Sequence, residues 1–423
     1  MKEKIWLKIQ WEKGKKMFEL DIEMIQNLKR EYGLPLYIFN EEEFIRNYRE
    51  IETTFRRVYP KYHICYSYKT NYTPAICKLV EKLGGYAEVV SDMEYELAIR
   101  LGYNPHKIVY NGPAKGEYFE KQLVAGGILN IDNEEEVDRA CTFADENVHT
   151  SVRVGIRINF DIDAGYTSRF GIDINKVGDI ILTLKQHHIT VDGIHCHMSR
   201  ARDIEPWKQR TKVMLSLVER YDLREIRYIS LGSGMYGHMD VELKEQFPGH
   251  IPSYSEYADA VLVQFANFYK GIDDSQKPIV FTEPGTTLIS KYVDFVAEVE
   301  GIKEVRKHEF VRLNCSFHNL GETCQMKNLP IRILESQKAK GKHMKDAKFV
   351  GYTCLEQDIL YKSYKGDIAV GDFVEFGNVG GYSVVDKPPF IMPNCSMIAI
   401  NGNESRLIKR TERFEDIFST YIY

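Results

Sequence analysis

Along most of the chain, short apolar and β-branched runs alternate with longer stretches in which apolar positions recur every three or four residues. Leu36–Phe39, His63–Tyr68, Gly85–Val90, Lys107–Tyr110, Gly127–Ile131, Val152–Ile158, Ile189–His197, Ile226–Leu231 and Pro278–Glu283 read as strands. Between them Glu41–Thr54, Ala75–Leu83, Met93–Arg100, Trp207–Glu219 and Tyr254–Lys270 read as helices. This α/β rhythm, sustained over about 250 residues, predicts a (β/α)8 barrel. A doubly wound sheet is the competing architecture, but no GxGxxG follows the first strand. After Leu288 the texture changes to alternating β-branched and aromatic residues with glycine and proline turns. It predicts antiparallel strands at Tyr292–Ile302, Phe310–Leu313, Lys348–Thr353, Phe373–Phe376 and Met397–Asn401. The alternation of Ile5 to Trp11 suggests that the N-terminal segment pairs with this later domain. The expected domains are therefore a segment 1–33, a barrel 34–288 and a β domain 289–423, with lysine-rich Glu335–Lys345 as a solvated loop.

Composition narrows the function. The 423 residues suffice for two domains, and 43% hydrophobic with 28% charged residues is ordinary for a globular protein. A net charge of −5 offers no electrostatic footprint for nucleic acid. No run approaches the roughly 20 apolar residues of a membrane span, and Met1–Lys16 has no apolar core of signal-peptide length. Eight scattered cysteines without CxxC pairs argue against zinc and against a disulfide framework. The expectation is a cytoplasmic protein without a metal site.

The chemistry is announced by Tyr66-Ser67-Tyr68-Lys69-Thr70-Asn71. A strand that delivers a lysine at its carboxyl end places it on the usual active-site face of a barrel. There a desolvated amine can form a Schiff base with an aldehyde cofactor. Alone, Lys69 is weak evidence, because such a lysine is more often just a solvated strand end. Behind it come His195-Cys196-His197, the glycine-rich turn Leu231-Gly232-Ser233-Gly234-Met235-Tyr236-Gly237 and Thr282-Glu283-Pro284-Gly285-Thr286. Then follow Gly351-Tyr352-Thr353-Cys354-Leu355-Glu356-Gln357-Asp358 and Gly380-Gly381-Tyr382-Ser383. In this order and spacing, from about Leu34 to Tyr382, the chain resembles the fold-type III pyridoxal-phosphate-dependent decarboxylases, the diaminopimelate/ornithine decarboxylase-like group.

The resemblance implies a pyridoxal 5'-phosphate-binding barrel, an alanine racemase-like β domain and a homodimer with shared sites. Lys69 would hold the cofactor as an aldimine, and His197 would stack on the pyridine face. Glu283 would keep the ring nitrogen protonated so that the ring accepts the electrons left by departing carbon dioxide. Gly232, Ser233 and Gly234, with Gly285 and Thr286, would cradle the phosphate through backbone amides. Cys354, reaching in from the partner subunit, would protonate the carbanionic carbon. Tyr382 would bond the phosphate, while Glu88 matches an acidic position near the cofactor and Arg157 a basic one. Each has a plainer reading: a core histidine, a barrel-end salt bridge, an ordinary turn, a buried cysteine, a packed tyrosine.

Three positions depart from the family pattern. Thr286 stands where an arginine commonly follows Glu-Pro-Gly, His197-Met198-Ser199-Arg200 replaces His-x-Gly-Ser, and Leu355 replaces an acid after the cysteine. These positions concern phosphate and substrate recognition, so the substrate is expected to be neither diaminopimelate nor ornithine. Arg200, Leu355, Glu356 and Asp358 are the candidate substrate contacts, with Arg200 taking the phosphate or a substrate carboxylate or carbonyl. The plainer reading puts Arg200 with Arg202, Lys208 and Arg210 on a solvated surface. The leading function is decarboxylation of an amino acid or derivative, free or linked to a carrier protein. A racemase would place an arginine at the ring nitrogen, against Glu283. Retention of Lys69 and Cys354 speaks against a catalytically dead binding protein, and the long β domain against a small cofactor-carrier barrel.

Overall fold

The computed structural model describes residues 19–162, 165–336, 341–402 and 404–422. Two compact units result. Of the described residues, the barrel unit comprises those within Arg49–Tyr236 and His250–Thr287; the β unit comprises Glu19–Tyr48, Gly237–Gly249 and those from Leu288 onward. In chain order the first strands are β1 (Leu36–Asn40), β2 (Tyr62–Ser67), β3 (Tyr86–Val89), β4 (Ile108–Tyr110), β5 (Ile128–Ile131) and β6 (Arg153–Asn159). Next come β7 (Ile172–Asp173), β8 (Thr190–His195), β9 (Tyr228–Ser230), β10 (Ile279–Thr282), β11 (Val293–Val305) and β12 (His308–Leu313). The last are β13 (Ile331–Leu334), β14 (Lys342–Val350), β15 (Ile359–Ile368), β16 (Phe373–Phe376), β17 (Ser396–Asn401) and β18 (Glu404–Lys409). Among the described residues no helix is long and apolar enough to cross a membrane.

In the barrel unit β2, β3, β4, β5, β6, β8, β9 and β10 pair in parallel, and β10 returns to β2, closing the ring. Helices between the strands begin where the sequence supplies caps: the Ser91 side chain accepts from Glu94 N, Asn133 from Glu136 N, and Ser253 forms a capping box with Glu256. Tyr228 fills the barrel interior. A Cβ on Gly193 would lie 2.3 Å from its Cζ, so the ring occupies the space a larger residue would need. Because every barrel strand runs the same way, their carboxyl ends share one rim, and polar residues following each apolar run are gathered there.

Eight of the nine segments read as strands before Leu288 form this barrel. The ninth, Leu36–Phe39, expected to open it, is β1 of the β unit. It lies between β11, antiparallel with Leu36 opposite Val296, and β17, parallel with Leu36 opposite Ser396. All of β1 is buried, and a short apolar run of this kind suits either sheet; only long-range pairing decides. Ahead of it, helix Ile22–Tyr32 starts at the Asp21 cap and packs Met24, Ile25 and Leu28 against Leu36, Ile38 and Val296. The expected pairing of the first strand-like residues falls outside the described residues.

The β unit's sheet runs β15-β14-β12-β11-β1-β17-β18, with β16 also beside β11 and β13 beside β16. Its pairings are mainly antiparallel, with β12–β14 and β1–β17 parallel. β13, β15 and β18 were not anticipated. The Glu335–Lys345 stretch is not wholly a loop, since β14 begins at Lys342 and buries Met344; residues 337–340 lie outside the description.

Candidate active site

β2 ends at Ser67, and the 3-10 turn Tyr68–Thr70 sets Lys69 on the barrel rim. Lys69 Nζ lies 2.5 Å from Glu88 Oε2, which Ser67 Oγ also contacts. Glu88, at 1% exposure, sits on β3 one strand away. Its other oxygen accepts from Asn111 Nδ2 at 3.2 Å, and the same amide donates to Glu283 Oε1 at 3.2 Å. The amide's orientation follows from a chain through the barrel interior. Tyr228 OH donates to Asn130 Oδ1 at 2.8 Å, and Asn130 Nδ2 donates to Asn111 Oδ1 at 2.8 Å. Asn111 therefore turns its NH₂ toward the two carboxylates.

Glu283 follows β10 and is 2% exposed. Ser230 Oγ donates to it at 2.8 Å and His195 Nε2 at 3.1 Å, while His197 Nδ1 lies 3.9 Å away. Burial alone would raise its pKa, but the hydrogen-bonded His195 and the Lys69 charge outweigh that and hold the carboxyl well below the usual range. His197 is the converse: burial, then the Lys69 and Arg157 charges, push its pKa well below the usual imidazole value. Its Nδ1 accepts the Ser233 N–H at 3.3 Å, which requires the neutral ring with its proton on Nε2. The site thus holds an anionic carboxylate beside an uncharged imidazole at neutral pH.

The glycine-rich turn is shaped by close approach. Gly232, at φ +63°, would put a Cβ 2.4 Å from the Cys196 carbonyl oxygen, and Gly234, at φ +104°, 2.4 Å from that of Met198. A Cβ on Gly285 would lie 2.0 Å from Thr70 Oγ1. Ser233 is buried between the glycines, and Thr286 is half-buried beyond Gly285. A cavity of about 680 Å³ opens at the rim, walled in part by Lys69, Glu88, Asn111, His197, Arg200 and Glu283. Arg157 enters it too, its NH1 2.8 Å from Asp132 Oδ1. Arg200 lies over the Tyr166 ring at 5.4 Å.

The surface reading of the arginine cluster needs correction. Lys208 is exposed, but Arg210 is fully buried, because it continues the apolar stripe of helix Ile204–Arg220 beside Trp207 and Met214.

Cys354, Leu355, Glu356, Asp358 and Tyr382 all belong to the β unit. Seven cysteines are buried and Cys354 is exposed. Together with Leu355 and Glu356 it borders a second cavity of about 810 Å³. Asp358, expected to face substrate, is instead buried: it accepts from Phe317 N at 2.8 Å, Thr353 N at 3.0 Å and Thr353 Oγ1 at 2.6 Å. Those donors leave it holding the loop that presents Cys354. Tyr382 adopts φ 56° after the two glycines.

The sequence reading missed Asn111, Ser230 and the Glu283 contact of His195. A signal was available: each is a polar residue within or directly after an apolar barrel strand, the same pattern that exposed Lys69.

An amine against a buried carboxylate, a second carboxylate held anionic, and turns where only glycine fits suit an aldehyde cofactor with a ring nitrogen and a phosphate. The comparisons agree. The pattern of the pyridoxal-dependent decarboxylases, pyridoxal binding domain, matches residues 42–290. Diaminopimelate decarboxylase of Aquifex aeolicus is 25% identical over 414 residues, covering 93% of each chain. That of Methanocaldococcus jannaschii is 27% identical over 383 residues, covering 84% of each. A crystal structure of diaminopimelate decarboxylase from M. jannaschii in co-complex with L-lysine superimposes with a TM-score of 0.82 at 24% identity, covering 94% of both chains. Fold, site and sequence converge, and the chain belongs to the pyridoxal-dependent decarboxylase family, as an amino-acid carboxy-lyase of the diaminopimelate/ornithine decarboxylase group.

Proposed function

We propose that this protein removes the α-carboxylate of an amino acid or amino-acid derivative other than diaminopimelate or ornithine. When bound, pyridoxal phosphate supplies an electron sink for the bond that loses carbon dioxide. Lys69 would carry it, with Glu88 holding the amine in place. Glu283 would keep a proton on the ring nitrogen, and neutral His197 would stack on the ring without competing for that proton. The observation that carries this reading is Glu283, an anionic buried carboxylate facing the same cavity as Lys69. An arginine in its place would suit racemisation instead.

Cys354 of the partner subunit would return a proton to the α-carbon, in a homodimer with shared sites; its exposure among otherwise buried cysteines supports that role. Tyr382 would bond the phosphate. Arg200 would bind an anion, either the phosphate, in place of the arginine that Thr286 replaces, or a substrate carboxylate. Leu355 disfavours a distal ammonium, since a buried cation there would lack an adjacent acid. The related enzyme crystallised with L-lysine is the natural contrast. Free thiols throughout suit a cytoplasmic setting.

Incubation with a panel of free and carrier-linked amino acids, followed by mass spectrometry, should reveal one that loses carbon dioxide. Racemised product without that loss would overturn the reading. Mixing inactive Lys69→Ala and Cys354→Ala subunits should regenerate active sites by reassortment. Proven exchange without recovery would refute shared sites.

A further inference from the structure

Arg210 lies in helix Ile204–Arg220 at 0% exposure. No carboxylate pairs with it among the described residues. Its guanidinium binds only backbone: NH1 donates to the Leu231 carbonyl at 3.0 Å and to that of Ser233 at 2.9 Å. NH2 donates to the carbonyls of Met198 at 3.4 Å and Ala201 at 3.2 Å. The Trp207 ring covers it at 4.1 Å, and burial lowers its pKa to about 10, so it remains charged at neutral pH. Burying a cation without a counter-ion is costly, and a structural tether for two loops would not require a charge.

The four carbonyls explain its position. In a trans peptide C=O and N–H point in opposite directions. Fixing the Ser233 carbonyl on the helix side therefore turns the N–H of Gly234 to the other side, while the Gly232 N–H, opposite the Leu231 carbonyl, is already taken by Ser230 Oγ at 3.3 Å. The Met198 carbonyl does the same for the N–H of Ser199, which borders the cavity. A cation hydrogen-bonded to a carbonyl also polarises that peptide and strengthens its N–H as a donor.

We propose that Arg210 is a positioning residue for the cofactor phosphate, acting from behind the glycine-rich turn: it aims the amides of Gly234 and Ser199 and supplies the counter-charge through them. The proposal rests on the reading of the cavity as the pyridoxal phosphate site. It also answers the loss of arginine at Thr286, because a positive charge remains near the phosphate without reaching the pocket.

The test uses apoprotein titrated with pyridoxal 5'-phosphate and, separately, with pyridoxal, which offers the same aldehyde without the phosphate; uptake is followed by absorbance. Arg210→Gln should weaken binding of the phosphate ester roughly 10- to 100-fold, as expected for lost charge-assisted hydrogen bonds, and leave pyridoxal binding nearly unchanged. Equal losses for both compounds, or loss for neither, would overturn the proposal. Should Arg210→Gln fail to fold, Arg210→Lys carries the same comparison with the same outcomes, because a single ammonium cannot span four carbonyls. Wild-type protein that takes up neither compound would instead overturn the cofactor reading and the proposal with it.

Discussion

Glu283 in the barrel unit and Asp358 in the β unit are both buried carboxylates beside strand ends, 2% and 3% exposed, yet their surroundings differ in kind. Glu283 is met by side chains, His195, His197, Ser230 and Asn111, with Lys69 adding its charge. Asp358 is met by the backbone N–H groups of Phe317 and Thr353 and the Thr353 hydroxyl. Partners that titrate leave a carboxylate open to influence from a ligand; partners that do not titrate make it a fixed clasp. The first is suited to chemistry and the second to shaping a loop. The same contrast separates the rim of the barrel, an electrostatic site, from the Cys354 loop, a presented thiol.

The sharpest break in this comparison would come from Lys69→Ala. It should abolish both turnover and the borohydride-reducible absorbance; in wild-type protein the reduced label should fall on the Lys69 peptide. A label elsewhere would move the chemistry off the barrel rim. Cys354→Ala should lower turnover roughly 10²- to 10⁴-fold, the range for a lost general acid, while cofactor uptake stays as in wild type. A parallel loss of uptake would show that Cys354 itself does more than donate a proton.

Stability should divide the two carboxylates as well. Glu283→Ala should cost about 3–5 kcal/mol in chemical denaturation, because it leaves buried polar partners and nearby positive charge uncompensated. Asp358→Ala should cost about 1–3 kcal/mol and raise amide hydrogen exchange at Thr353 and Leu355, leaving the barrel strands unaffected. Costs in the opposite order would dissolve the distinction.

The smallest effect concerns pH. His197 has a folded pKa depressed below its unfolded value, so its contribution is complete above about pH 6.5 and is lost as pH falls through the folded pKa. Glu283 behaves likewise, but its window opens only near and below the ordinary carboxylate range. Stability measured by urea denaturation should therefore decline from about pH 6.5 downward, by at most about 1.4 kcal/mol per pH unit for this group. His197→Phe should flatten the curve between about pH 6.5 and 5. An unchanged slope would mean that the ring is not held neutral.

Much of this site was legible in the chain because a barrel strand announces itself. An apolar run that ends in a lysine, a histidine or a glutamate marks the rim, as at Lys69, His197 and Glu283. The glycine pattern of Gly232 and Gly234 pointed in the same way to a turn with close backbone approach, and the structure adds that both adopt positive φ. Failures occurred where periodicity is silent about partners. Leu36–Phe39 carries the same pattern as a barrel strand but pairs with β11 and β17. Arg210 looked like one more charge in a basic surface helix, although its spacing from Trp207 already placed it on the apolar stripe.

The sequence by itself determined the strand-helix rhythm, which follows from local pattern, and through the order and spacing of its motifs it carried the family resemblance that implied the cofactor chemistry and most of the residues at the rim. Only the tertiary structure decided which sheet β1 joins, that Asn111 links Glu88 to Glu283, that Asp358 clasps a loop, and that Arg210 lies beneath the glycine-rich turn. Those facts depend on contacts between residues far apart in the chain. Hydrophobic periodicity specifies that a face will be buried; it does not specify what will be buried against it.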